Sequence, residues 1–240
     1  MTRVVLVTGS TSGIGLATAR RFAEHGDTVV FNSARSAKAG EELARATPGS
    51  IYLQANISEP GAGDRLIESV LEQCGRLDVL VNNAGTTKLI SHGDLAAADV
   101  GVWREIFEVN VFGTWQVCVA AVPALRESRG AIVNVSSVAG CRPVGSSIPY
   151  AASKAALNHL TSLLAKTLGP EVRVNAVAPG LVDTPWTASF DAVRAFVNAN
   201  APLRRSGVPD DVVDAIVFLA SASYVTGQVV ADDGGLTLIT

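Results

Sequence analysis

Disulfide chemistry has little to work with in this sequence. The 240 residues hold three cysteines, Cys74, Cys118 and Cys141, odd in number, far apart and without a CxxC pair. They read as reduced thiols of a cytoplasmic protein, and no metal site is expected. Charge is scarce as well. Charged residues make up 17% of the chain against 48% hydrophobic, with a net charge of −3. The pI is about 5.6 and the mean hydropathy +0.31. No basic stripe points to nucleic acid, and no basic amphipathic face points to a membrane surface. Such a chain can bury a large core, which argues against disorder. An apolar strand-like run starts at Val4, so no secretory signal is expected. No stretch reads as a bilayer span; the nearest, residues 109–125, contains Gly113 and Pro123.

What is present is a regular alternation. Short apolar runs at 4–7, 28–31, 51–53, 79–81, 131–135, 173–177 and 228–231 are mostly β-branched and nearly continuous. That pattern suits parallel strands covered on both faces. Helical-length segments lie between them, near 14–25, 37–46, 63–74, 103–125, 150–168 and 210–220. The alternation predicts an α/β, doubly wound parallel sheet. Without a linker or repeat, residues 1–240 read as one domain. Polar or glycine-rich elements follow the C-terminal end of nearly every expected strand, where open α/β sheets bind ligands.

The first of these elements is Thr8-Gly9-Ser10-Thr11-Ser12-Gly13-Ile14-Gly15. Gly9 permits a sharp turn, Gly13 lets the backbone approach a pyrophosphate, and Gly15 lets the helix pack on the sheet. The helix N-terminus offers free N–H groups and a positive dipole end. No Lys follows the loop, which disfavours a P-loop nucleotidase. Further on, Tyr150 and Lys154 stand four apart at the start of a helix, hence on one face. An ammonium beside a phenol favours the phenolate, and a tuned phenol can exchange a proton with a carbonyl oxygen. Alone, such a pair is more often packing plus a surface amine. Ser136-Ser137 upstream adds hydroxyls that can hold a substrate oxygen or simply cap a turn.

Together, Thr8–Gly15, Asn82-Asn83-Ala84-Gly85, Asn110, Ser137, Tyr150 with Lys154, and Pro179-Gly180 resemble the short-chain dehydrogenase/reductase family along essentially the whole chain. The resemblance implies a Rossmann-type sheet of seven mainly parallel strands with helices on both faces. It also implies hydride transfer between a nicotinamide cofactor and a ketone or secondary alcohol. Within it, Tyr150 is the acid/base. Lys154 lowers the tyrosine pKa and binds ribose hydroxyls. Ser137, thirteen residues before Tyr150, orients the substrate oxygen. Asn110 holds a proton-relay water. The loop residues Gly9, Ser10, Thr11, Ser12, Gly13, Ile14 and Gly15 hold the pyrophosphate. Asn56 and Ile57 flank the adenine, although family members often carry Asp at the Asn56 position. Asn83 and Gly85 lie along the cofactor, and Pro179, Gly180, Val182 and Thr184 cover the nicotinamide amide.

No carboxylate occurs between Asp27 and Glu41, and Arg35 can pair with a 2′-phosphate. These residues favour NADP(H), with NAD(H) the alternative; Ser12 stands where many NADP-preferring relatives carry a basic residue. Substrate walls are expected from residues 88–94, 141–149 and the stretch after Thr184, where residues 185–206 read either as a lid or as core contacts. Residues 32–38 look like those of 3-oxoacyl-carrier-protein reductases. Arg126, Arg129, Arg142, Arg204 and Arg205 are the candidates for docking an acidic carrier. The apolar helices 103–125 and 150–168 are expected to pair across a two-fold axis, giving a homodimer or homotetramer. The rival readings are a non-catalytic dinucleotide-binding protein and an epimerase or dehydratase.

Overall fold

A computed structural model describes residues 2–240. Seven strands form one sheet: β1 Val4–Val7, β2 Thr28–Ser33, β3 Ile51–Gln54, β4 Val79–Asn82, β5 Ala131–Val135, β6 Arg173–Pro179 and β7 Val229–Asp232. Their order is β3-β2-β1-β4-β5-β6-β7, and every pairing is parallel. Residues of β1, β4 and β5 are buried throughout, as strands covered on both faces must be.

Alternate side chains serve opposite faces. Val4 and Leu6 of β1 join a core with α3 Ala62–Cys74, α5 Thr114–Ser128 and α6 Ile148–Leu168. Val5 and Val7 join another core with α1 Gly13–Glu24, α2 Ala37–Ala46 and α8 Pro209–Ser221. The sheet is therefore doubly wound. Its order reverses between β1 and β4, which opens a crevice at the carboxyl ends of the strands.

The single helix expected over 103–125 is different in detail. It begins earlier as α4 Val100–Phe107, passes through a π-helical turn at Glu108–Gly113, and continues as α5 to Ser128. Asp99 sets its start by accepting from the Val102 N–H at 2.9 Å. Pro123 does not end it. By length and composition, Val100–Ser128 is apolar enough to cross a membrane, its most apolar 18 residues having a mean hydropathy of 1.3, contrary to the sequence reading. Its buried residues pack on the sheet with α3 and α6. A further helix, α7 Asp191–Asn200, occupies the expected lid segment, and its Val197 packs with Val138, Ala201 and Leu236. The segment thus both lies over the cleft and contributes to a small core.

Candidate functional site

The crevice is a cleft of about 940 Å³. Its first wall is the loop after β1. Gly9 has φ +64° and Gly13 φ +55°, backbone that favours glycine. A Cβ on Gly13 would press on Thr184 at 3.3 Å, and one on Gly15 would collide with Asn83 and the Gly9 carbonyl. The loop is held in place from β4: Asn83 Nδ2 donates to the carbonyls of Thr8 and Gly9 at 2.9 and 3.0 Å. No acidic residue lies in the first turn of α1, and the Ser12 side chain does not cap it. A glycine-lined cradle facing an uncapped helix N-terminus fits a pyrophosphate.

Thr11, Ser12, Gly13, Ile14, Arg35, Asn56, Ile57, Asn83, Gly85, Ser137, Tyr150, Lys154, Pro179, Gly180, Val182 and Thr184 all line this cleft with Gly9. Three expected residues do not. Ser10 is fully buried and turned inward, its Oγ accepting from the Asn32 N–H at 2.9 Å. Gly15 lies behind the loop against Asn83. Asn110 is also fully buried. The sequence reading missed Asn32, whose side chain accepts from Gly9 N–H at 3.3 Å and donates to Leu53 and Ala55 carbonyls, joining three strand ends. A lone Asn at a strand end carries no signal that separates this role from a turn.

At the adenosine end, Arg35 is exposed. Ser33 is occupied by Tyr52, 2.8 Å away, and by the Ser36 N–H. At the other end, Ser147 accepts from the Tyr150 N–H and starts α6, with Pro149 in its first turn. One turn later, Lys154 is buried; its Nζ lies 5.7 Å from the centre of the Tyr150 ring and donates to the Val135 carbonyl at 2.9 Å. The two serines diverge. Ser137 faces the Tyr150 phenol and favours its charged form, while its Oγ accepts from the Ala139 N–H at 3.2 Å. Ser136 Oγ donates to Asn158 Oδ1 at 2.5 Å, away from the tyrosine.

The electrostatics differ from the sequence reading. Burial pushes the Tyr150 phenol up to about 12, only partly offset by Ser137. Burial also draws the Lys154 ammonium down to about 8. Each shift favours the neutral form. Desolvation thus outweighs the opposing effect of Ser137, and the phenol keeps its proton.

Asn110 sits in the π-helical turn, a departure often found at functional sites. Its Oδ1 accepts from Thr86 N–H at 2.8 Å, and its Nδ2 donates to Thr86 carbonyl and Ser153 Oγ, both at 3.0 Å. Its side chain therefore braces the loop after β4 against α6. The five arginines do not form one patch. Arg126 and Arg129 precede β5, at the end of the sheet opposite the cleft. Arg205 is paired with Asp211 at 2.6 Å, and Arg142 donates to the Thr237 and Cys141 carbonyls.

A family model described as Enoyl-(Acyl carrier protein) reductase matches residues 9–237. The chain belongs to the short-chain dehydrogenase/reductase family. It is 54% identical, over 98% of its length and 96% of the relative's, to a Streptomyces violaceoruber protein named as ketoacyl reductase 2 of the granaticin polyketide synthase. It is 39% identical, over 98% of each chain, to 3-oxoacyl-[acyl-carrier-protein] reductase FabG of Thermotoga maritima. Among solved structures, a short-chain dehydrogenase/reductase from Burkholderia xenovorans superposes with a TM-score of 0.92 at 38% identity, covering 99% of this chain and 98% of that one. This short-chain dehydrogenase/reductase is accordingly an NAD(P)-dependent oxidoreductase acting on CH–OH or C=O groups.

Proposed function

We propose that the protein is a carbonyl reductase that favours NADP(H) and converts a ketone to a secondary alcohol. The observation that carries the reading is Tyr150 beside buried Lys154, its Nζ 5.7 Å from the ring centre, with Ser137 and the glycine cradle lining the same cleft. When bound, the nicotinamide supplies the hydride in reduction and accepts it in the reverse reaction. The residues do the rest. Ser137 and Tyr150 hydroxyls donate to the substrate oxygen and polarise the carbonyl. Tyr150 then gives its proton to the developing alkoxide. Burial keeps the phenol protonated at neutral pH, so the proton is present to be given. Lys154 holds the ribose hydroxyls and keeps positive charge beside the tyrosine. Asn110 positions this group through Thr86 and Ser153. Relatives named as ketoacyl reductases agree with carbonyl reduction.

Arg35 supports the NADP preference. Among the described residues it forms no ion pair or side-chain hydrogen bond, and it lines the cleft beside Ser36. Phe112, Trp115 and Val119 of the helix after β4, and Leu163 of α6, are exposed apolar groups that suit pairing of two copies as a dimer or tetramer. We place the enzyme in the cytoplasm, as one dinucleotide-binding and catalytic unit with its lid at 185–206.

The test is loss of nicotinamide absorbance with a panel of ketones, diketones, sugars, steroids and 3-oxoacyl thioesters, run with NADPH and NADH separately. Turnover of a ketone is expected. Cofactor binding without turnover of any carbonyl would leave a dinucleotide-binding protein instead.

A further inference from the structure

The substrate end of the cleft has a composition of its own. Leu89, Val144, Trp186, Phe190, Val193 and Leu236 line it, and several are well exposed: Leu89 at 62%, Trp186 at 46% and Val193 at 43%. Exposed apolar groups converging on one concavity mark a surface meant to be covered. Polar groups there are already engaged. Thr87 Oγ1 and Ser146 Oγ bond each other at 2.6 Å.

Among the described residues, the only cations lining the cleft are Arg35 and Lys154. Lys154 is buried and bonded to the Val135 carbonyl. Arg35 follows β2, four strands away from the β6 loop that carries Trp186, roughly 19 Å at ordinary strand spacing. Acidic groups are present as well: Glu105 and Glu108 line the cleft, and Lys88 is paired with Glu105 at 2.6 Å, while Arg142 is turned to the Thr237 and Cys141 carbonyls. A carboxylate or sulfonate entering here would lose water without gaining a partner.

Trp186 adds shape. It stands edge-on to the Tyr150 ring, centroids 6.3 Å apart at 81°. Its Cη2 also reaches to within 3.7 Å of where a Cβ on Gly85 would lie, so it spans from the β6 loop to the β4 loop. Thr187 Oγ1 anchors this turn by donating to the Val182 carbonyl at 2.6 Å. An aromatic face beside the proton donor favours a flat, ring-bearing substrate.

We infer that the site takes an uncharged, apolar, ring-bearing ketone, and that Trp186 is the residue that determines this specificity. The inference rests on the carbonyl-reductase reading and narrows its substrate class.

The experiment uses a matched pair, methyl 4-acetylbenzoate and 4-acetylbenzoate, which share a ring and differ in charge. Each is assayed with NADPH against the full chain, alongside 2-butanone. The neutral ester is expected to have a kcat/KM about 100-fold above that of the acid. Trp186→Ala is expected to raise KM for the ester about tenfold and by a smaller factor for 2-butanone, with Trp186→Phe retaining most of the parent behaviour. Equal use of acid and ester, or equal losses on both ketones in Trp186→Ala, overturns the inference while carbonyl reduction stands. If nothing turns over, the reductase reading fails separately. Binding then decides the substrate class through fluorescence of the NADPH-loaded protein. Quenching by the ester but not the acid, absent in Trp186→Ala, supports it, and its lack overturns it.

Discussion

Asn110 Nδ2 donates to Ser153 Oγ across 3.0 Å. Ser153 in turn donates to the Tyr150 carbonyl at 2.7 Å. One buried amide thus ties the π-helical turn to the helix that carries Tyr150 and Lys154, and its other contacts fix Thr86 at the end of the β4 loop. Removing it leaves the Thr86 N–H and carbonyl without partners inside the protein. Asn110→Ala is expected to cost about 3 kcal/mol of stability, read by denaturant unfolding, and to lower kcat more than it raises KM. Unchanged unfolding would show that the brace is not structural.

The pH dependence follows from Lys154. Its ammonium is drawn down to about 8 by burial, while Tyr150 keeps its proton to about 12. Charged Lys154 is present below about 8 and lost above it. For reduction, kcat/KM is therefore expected to be flat below about pH 8 and to fall about tenfold per unit above. Folding carries the opposite sign. A lysine pKa lowered from 10.5 makes the Lys154 contribution to native stability rise with pH between about 8 and 10.5. A kcat/KM profile that stays flat through pH 9 would contradict the role given to Lys154.

The two adjacent serines are expected to separate cleanly. Ser137→Ala removes the hydroxyl that lines the cleft beside Tyr150 and should lower kcat about 100-fold or more. Ser136→Ala removes a bond to Asn158 and should act mainly on stability, by about 1 kcal/mol. Steady-state kinetics on both variants distinguishes them.

Arg35→Ala is expected to lower the NADP/NAD ratio of catalytic efficiencies by about tenfold or more, through loss of a charge-assisted contact to the 2′-phosphate. An unchanged ratio would remove Arg35 from cofactor choice.

Much of this was readable in the chain. Continuous β-branched runs such as Val4–Val7 and Ala131–Val135 announce buried parallel strands, and the glycines of residues 9–15 announce the cradle. The family's thirteen-residue spacing pointed to Ser137, which lines the cleft with Tyr150, while Ser136 turns to Asn158. Other features depend on packing and were not readable. Ser10 turns inward because β2 supplies a backbone partner at Asn32. The π-helical turn at Glu108–Gly113 interrupts a segment whose apolar pattern reads as one uniform helix. The direction of the tyrosine shift was missed because spacing shows a neighbouring ammonium but not how deeply both groups are buried.

The most direct measurement is turnover and cofactor binding by Tyr150→Phe. The variant keeps the ring beside Trp186 and Lys154 and loses only the hydroxyl that faces Ser137. Carbonyl reduction is expected to fall about 1,000-fold or more while NADPH binding stays within about twofold of the parent. Turnover near the parental rate would contradict the assignment of Tyr150 as the proton donor.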